Sequence, residues 1–278
     1  MATNITNAFI EQWNDEVKHS YAQQQSKLRG AVRIVNGVTG SVYNFHKMGT
    51  VDAVSKTRDG DLAWASPAQS KVPVTLVDKY APIRVDDLDL LKTNIDSRAE
   101  YQVEAIRAIN KELDQSIITA WGASNTDIST LSGGLTQAKL LEALEKFISN
   151  DIPPEDRFLV VGGKQIIDAL GIASLTSADY QNVKAMVEGN VGSALGFTWI
   201  TSNLLLKDNL NAAGAAQNNT RHCFAVAKSA TGLAMARDLT TKIEWSTDSQ
   251  AWNIASSISH GVGVIDPVGI IEIGAVEA

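Results

Sequence analysis

The stretch Ser97-Arg-Ala-Glu100-Tyr-Gln-Val103-Glu-Ala-Ile106-Arg-Ala-Ile109-Asn-Lys-Glu-Leu113-Asp-Gln-Ser-Ile117-Ile118-Thr-Ala-Trp121 decides how the rest of the chain is read. Apolar residues recur at 99, 103, 106, 109, 113, 117 and 120, in steps of three and four that trace one stripe along a helix. Ser97 followed by Glu100 makes a capping box for the first backbone donors, and Gly122 offers a stop. Glu100, Glu104, Arg107, Lys111 and Asp114 place charge of both signs on the other faces. At about 1.5 Å per residue the rod reaches roughly 37 Å, well beyond an average helix of ~11 residues. A rod of that length needs a sheet to lie across, and strands are expected on both sides of it.

Upstream, residues from Thr6 to Leu28 predict a helix, with Phe9, Ile10, Trp13, Val17 and Tyr21 along one face and Gly30 ending it. Arg33 to Phe45 turns strand-like. A second extended segment runs from Lys71 to Val85, where Pro73 and Pro82 demand edge or irregular positions. Between the two lies a stretch rich in turn formers, Gly49 to Ser70, with an Asp59-Gly60 hairpin signal and Trp64 close to the tip. An isolated two-stranded hairpin is marginal in water. The arm and hairpin are therefore expected to lie across neighbouring copies, with Phe9, Trp13, Val17 and Trp64 buried by a partner. Lys47, Lys56 and Lys71 near the hairpin read as solvated loop lysines.

Downstream, Leu135 to Phe147 predicts an amphipathic helix presenting Leu135, Ala138, Leu141, Leu144 and Ile148, ended by Pro153-Pro154. Arg157 to Val161 suits a buried strand, followed by a helix from Lys164 to Leu170. Gly196 to Thr201 and His222 to Ala227 predict two more strands, separated by an exposed polar loop from Asn209 to Thr220. Ser229 to Arg237 predicts a short helix, Lys242 to Ser246 a strand, and Asp248 to Ile258 mixed structure. Gly261 to Ile273 predicts an extended close, broken at Asp266-Pro267. The segment from 131 to 235 is a candidate inserted domain, and the terminal strands are expected to return beside the long helix.

Composition narrows the function classes. The 278 residues hold 44% hydrophobic and 20% charged side chains, as ordinary globular proteins do. The 24 basic and 31 acidic residues give a net charge of -7, which argues against gripping nucleic acid by neutralising its phosphates. The single cysteine, Cys223, excludes an intrachain disulfide. The N-terminus lacks the basic segment and apolar run of a signal peptide, and no apolar run approaches the ~18 residues of a membrane span.

Catalytic motifs are missing or incomplete. Val160-Val-Gly-Gly-Lys164 lacks the spacing of a phosphate loop. Tyr180 and Lys184 match the Tyr-x3-Lys spacing of short-chain dehydrogenases, without the N-terminal Gly-rich turn such enzymes need. His222 and Cys223 have no second histidine at metal-ligand spacing, and Cys223 reads as an inert thiol on an apolar strand. No G-x-S-x-G elbow is present. Asp86, Asp87 and Asp89 make half a calcium loop and better suit the start of a short helix. No catalytic, cofactor or metal site is expected.

The order of these parts resembles the major capsid proteins of tailed bacteriophages. So do three phrases: Val191-Gly-Ser-Ala-Leu-Gly-Phe-Thr-Trp-Ile-Thr-Ser202, Ala227-Lys-Ser-Ala-Thr-Gly-Leu-Ala234 and Ser259-His-Gly-Val-Gly-Val-Ile-Asp-Pro-Val-Gly269. The resemblance implies an α+β fold with an N-terminal arm (1–31) and an extended hairpin loop (32–84). A peripheral domain with the spine helix (85–130), an inserted axial domain (131–235) and a C-terminal return (236–278) complete it. It implies hexamers and pentamers of the chain closing an icosahedral shell around double-stranded DNA, with no sequence-specific binding, no membrane, and scaffolding and portal proteins as partners. Such a shell is a virion capsid made in the host bacterial cytoplasm. Because the first helix begins almost at Met1, a separate scaffolding protein is expected. An encapsulin-like compartment shell shares the implied fold, and an α/β oxidoreductase using Tyr180 and Lys184 is the reading from a different class.

Overall fold

The computed structural model describes residues 23–92, 98–123, 127–128, 133–172, 192–210 and 216–277. In chain order the first part holds β1 (Arg33–Asn36), β2 (Val42–Met48), β3 (Gln69–Thr75), β4 (Val77–Asp86), α1 (Asp87–Lys92) and α2 (Arg98–Gly122). The middle holds β5 (Asp127–Ile128), α3 (Gln137–Ser149), β6 (Arg157–Val161), α4 (Gly163–Leu170), β7 (Ser193–Ala194) and β8 (Phe197–Thr201). The rest is strand: β9 (Lys207–Leu210), β10 (Ala216–Ala227), β11 (Thr231–Ser246), β12 (Ala251–Val264) and β13 (Ile270–Val276). These elements form two compact units, and α2, β11 and β12 each run through both.

Among the described residues the smaller unit takes 23–25, 78–111 and Leu239–Ile258. In it β12 lies between β11 and β4, with α1 following β4. Pro82 sits in β4, which is at the edge of this sheet, where a missing N–H costs no ladder bond. The Asp86 carboxylate accepts the Leu88 N–H at 2.9 Å, so the acidic run does start a short helix. Trp245 and Trp252 meet edge to face at 5.3 Å, and the Arg98 guanidinium lies 4.9 Å over the Trp252 ring.

The larger unit takes Ser26–Val77, Glu112–Asp238 and Ser259–Ala278. Its main sheet runs β5-β13-β10-β6-β8-β7, with β9 also on β10. β10 is antiparallel to β13 and to β6, while β6 and β8 are parallel. Strands with helices on their faces are buried on both sides, which explains the unbroken apolar runs Leu159-Val-Val161 and Phe224-Ala-Val226. Leu113, Ile117 and Trp121 of α2 are buried in this unit. The Trp121 indole donates to Thr231 Oγ1 at 2.8 Å and packs 5.8 Å from Phe224. Phe147 of α3 meets Phe197 of β8 edge to face at 5.4 Å.

Several expectations are corrected. The stretch from Ser229 to Arg237 is not a helix: after a 3-10 turn at Lys228–Ala230 it is the first half of β11. Its residues Gly232 to Met235 are wholly buried, and tertiary packing overrides the helical preference of Leu, Ala and Met. The polar tract shrinks, because β9 reaches Leu210 and β10 starts at Ala216. The helix proposed for residues 6–28 does not extend through 23–28, which are irregular, and its earlier part lies outside the described residues. The Ser97 cap lies outside them too.

α3 buries Leu140, Ala143 and Phe147 rather than the stripe through Ala138, Leu141 and Ile148. The bulkiest apolar side chain, Phe147, selects the face. Lys139 joins it because its ammonium donates to the Gly133 and Gly274 carbonyls at 2.9 and 2.6 Å. On α2 the stripe holds from Ile109 to Ile117 but ends on Trp121 instead of Ala120, while Ala99 and Val103 are exposed. Asp114, placed on a solvent face by the periodicity, is fully buried. Its carboxylate accepts Ser26 Oγ at 2.5 Å and the Lys27 and Leu28 N–H groups at 2.9 and 3.3 Å. Finally, β13 pairs with β10 and β5, so the closing strand belongs to the sheet of residues 157–227 instead of returning with 236–258.

Candidate assembly surfaces

The two-stranded ladder of β2 and β3 stands apart from both larger sheets. Its register pairs Val42 with Thr75 through Met48 with Gln69, and Gly49 N–H extends it to the Ala68 carbonyl at 2.7 Å. Alternation sends Tyr43, Phe45, Val72 and Val74 to one side and Asn44, His46 and Pro73 to the other. The first set packs with Val38, Ala234 and Ile265 into a small core. Lys47, expected to be a solvated loop lysine, instead pairs with Asp266 at 2.8 Å. Pro73 is tolerated because β3 has β2 as its single neighbour among the described residues.

Three glycines make room for this root. A Cβ on Gly232 of β11 would collide with the Phe45 ring, and one on Gly263 of β12 with Val74. On Gly261 it would stand 2.5 Å from the Thr75 carbonyl oxygen. Glycine in a strand interior weakens the strand, and here the return is close approach of a second layer. Gly261 and Gly263 stand two apart in β12 and so share one face of it, the face that meets Val74 and Thr75.

Beyond Gly49 the loop leaves the ladder. The hairpin expected at Asp59-Gly60 does not form: the Gly60 N–H bonds the Thr57 carbonyl at 3.2 Å, closing a turn centred on Arg58 and Asp59, and no strand pairing leads up to it. Val51, Val54, Leu62 and Trp64 are exposed there, Trp64 by 89%. An indole left in water forgoes a large hydrophobic gain, so a cluster of such residues marks a surface made to be covered. Trp64 lies in the loop near Asp59-Gly60, as its place in the sequence implies, and is exposed in the single subunit. Phe9, Trp13 and Val17, named with it as interface residues, lie outside the described residues, as do Tyr180 and Lys184.

The remaining motif residues are structural. Gly162 precedes α4, and Gln165 and Arg221 fill the space a Cβ there would enter, so side chains already occupy that helix start. Cys223 is fully buried, and burial pushes its thiol up to about 12, an unreactive state. His222 is buried between Glu272 and Asp208. Glu277 closes a network with Arg221, Lys207 and Gln165, and the Arg221 guanidinium holds its carboxyl down to about 2. Among the described residues, no three His, Cys, Asp or Glu side chains converge on a point that suits a metal ion.

A family profile described as phage capsid protein matches residues 5–277. The chain belongs to the phage capsid protein family. It is a structural, shell-forming coat protein of the virion. Solved capsids share its fold across nearly the whole length. The capsid of cyanophage P-SCSP1u is 19% identical with a TM-score of 0.80, covering 100% of this chain and 96% of that one. A structure from Mycobacterium phage Che8 is 18% identical with a TM-score of 0.72, covering 96% and 97%. The capsid of a native GTA particle is 11% identical with a TM-score of 0.75, covering 99% of each chain. Among curated proteins none matches. The expected tailed-phage capsid fold therefore holds for this coat protein, a mixture of helix and sheet.

Proposed function

We propose that this coat protein is the major capsid subunit of a tailed phage, assembling as hexamers and pentamers into an icosahedral shell around double-stranded DNA. The observation that carries this reading is the loop, which is anchored at its root and bare at its tip. Phe45, Val74 and Lys47 fix its base, while Trp64 and its apolar neighbours are exposed. Copies related by symmetry supply that cover many times over, and repeated contacts add into a large assembly energy. Phe9, Trp13 and Val17 of the arm belong to the same class of contact. In this assignment residues 1–31 are the arm, 32–84 the loop, 85–130 the spine segment and 131–235 the axial segment. The 236–278 return is shared, with β13 joining the axial sheet.

The net charge of -7 suits a shell that holds DNA without adhering to it. A scaffolding protein and a portal are its proposed partners, and synthesis is in the host cytoplasm. Light scattering with negative-stain microscopy on the purified chain, alone and with scaffolding protein, tests the proposal. Closed shells, tubes or capsomer rings are expected. A strictly monomeric or dimeric protein under both conditions overturns it.

A further inference from the structure

We propose that Asp208, His222 and Glu272 form a proton-operated clamp that fastens the edge strand β9 to the main sheet. His222 lies on β10, between Asp208 on β9 and Glu272 on β13. Its Nε2 lies 2.9 Å from Asp208 Oδ1, and its Nδ1 meets Glu272 Oε1. A neutral imidazole has one N–H, so only the imidazolium donates to both carboxylates at once. One protonated ring thereby spans three strands.

The two ends of the clamp differ. The Glu272 side chain is 10% exposed, whereas that of Asp208 is 31% exposed. When the ring gives up a proton, the remaining one stays on Nδ1, facing the more buried of the two carboxylates. Asp208 then loses its His222 donor. β9 is the strand affected, since among the described residues it pairs with β10 alone. The ladder beside the clamp is short: Arg221 pairs with Lys207 and Thr220 with Asp208, and the His222 N–H donates to the Leu206 carbonyl at 3.0 Å.

The surrounding charges leave His222 to these two partners. Arg221 and Cys223 of β10 and Lys207 of β9 alternate onto the opposite face, where Arg221 and Lys207 pair with Glu277 at 2.5 and 2.9 Å. Lys139 of α3 is spent on the Gly133 and Gly274 carbonyls. The α2 acids in this unit are Glu112 and Asp114, and Asp114 is engaged by residues 26–28. On β5, Asp127 stands beside Glu272 in register. The hydrogen bond to Glu272 foremost, then that to Asp208, raises the His222 pKa above its ordinary value of 6.5, against the opposing pull of burial. The clamp is therefore complete below the unfolded-state value near 6.5 and is lost as pH rises through the raised one.

Amide hydrogen exchange on the full chain, corrected for intrinsic rates and read between about pH 6 and pH 9, tests this. Opening of the Leu206–Leu210 segment and of the His222 amide is expected to become about tenfold to a hundredfold more frequent at the high end. The change should track the imidazole titration followed by NMR. Asp208→Ala, which removes the half-exposed end alone, should flatten the dependence, and so should His222→Gln if that variant folds. Equal opening across the pH range in the wild type, or an undiminished slope in Asp208→Ala, overturns the clamp.

Discussion

The fit of Phe45 over Gly232 makes a quantitative prediction through a double-mutant cycle. The ring is 3% exposed and is held among Val38, Val74, Ala234 and Ile265, with Tyr43 edge-on at 4.9 Å. Phe45→Ala leaves a cavity in that core and should cost about 3–4 kcal/mol. Gly232→Ala puts a methyl group where the ring now lies, and a strain of about 2 kcal/mol is expected from overpacking. In the double variant the methyl enters the space the ring vacated. Its cost should therefore stay near that of Phe45→Ala, about 2 kcal/mol below the sum of the single changes. Urea denaturation of the unassembled chain, with midpoints and slopes compared across the four proteins, measures the cycle. Additivity within about 0.5 kcal/mol would show that ring and glycine do not share one slot, and the account of the loop root would fail.

The other predictions concern tip, arm and network. Trp64→Ala should change monomer stability by less than about 0.5 kcal/mol, since the side chain is 89% exposed, yet sharply reduce particle yield in a light-scattering assembly assay. Asp114→Ala orphans the Lys27 and Leu28 N–H groups and should cost about 2–3 kcal/mol, with early proteolysis near Ser26 as a second readout. Glu277, held at about 2 mainly by Arg221, stabilises the fold fully above its ordinary value of 4.5 and loses that contribution as pH falls through about 2. Glu277→Gln should remove this part of the acid sensitivity in thermal melts across that window. Native Cys223 should resist a thiol reagent for as long as the fold persists, because its thiolate is suppressed by burial; rapid labelling of folded protein would contradict its placement.

Local regularity made part of this fold legible. The three-and-four spacing from Ile109 to Ile117 announced α2, and Arg157-Phe-Leu-Val-Val161 read directly as β6. Proline in β3 and β4 correctly pointed to strands with an open side. Residues whose state depends on distant partners were not legible. Leu233 to Met235 carry helical preferences but become strand because β1 runs parallel beside them. Asp114 reads as a surface charge until Ser26, Lys27 and Leu28 arrive from 86 to 88 positions away. Glu272 stands out in Ile270-Ile-Glu-Ile273 as a lone acid in an apolar run, a visible hint, but only pairing with β10 brings it to His222. For the assembly surface, Trp64 beside a turn signal was readable. The slot at Gly232, Gly261 and Gly263 was not, since it needs two layers in contact.

That slot also determines how the subunit carries force. The ladder from Val42 to Met48 is rigid and is bolted down by shape at Phe45 and Val74 and by charge at Lys47. Past Gly49 and Ala68 the chain has no such fastening. A pull on Trp64 from a neighbour would first take up slack in residues 50–68. It would then arrive at Asp266, whose carboxylate both pairs with Lys47 and caps the turn leading into β13. β13 is zipped along β10 from Thr220 to Val226, so tension at the tip is spread in shear over seven residue pairs of the main sheet. The loop is thus a tether with an unfastened end and a firm anchorage, and tension would straighten the former before it reached the latter.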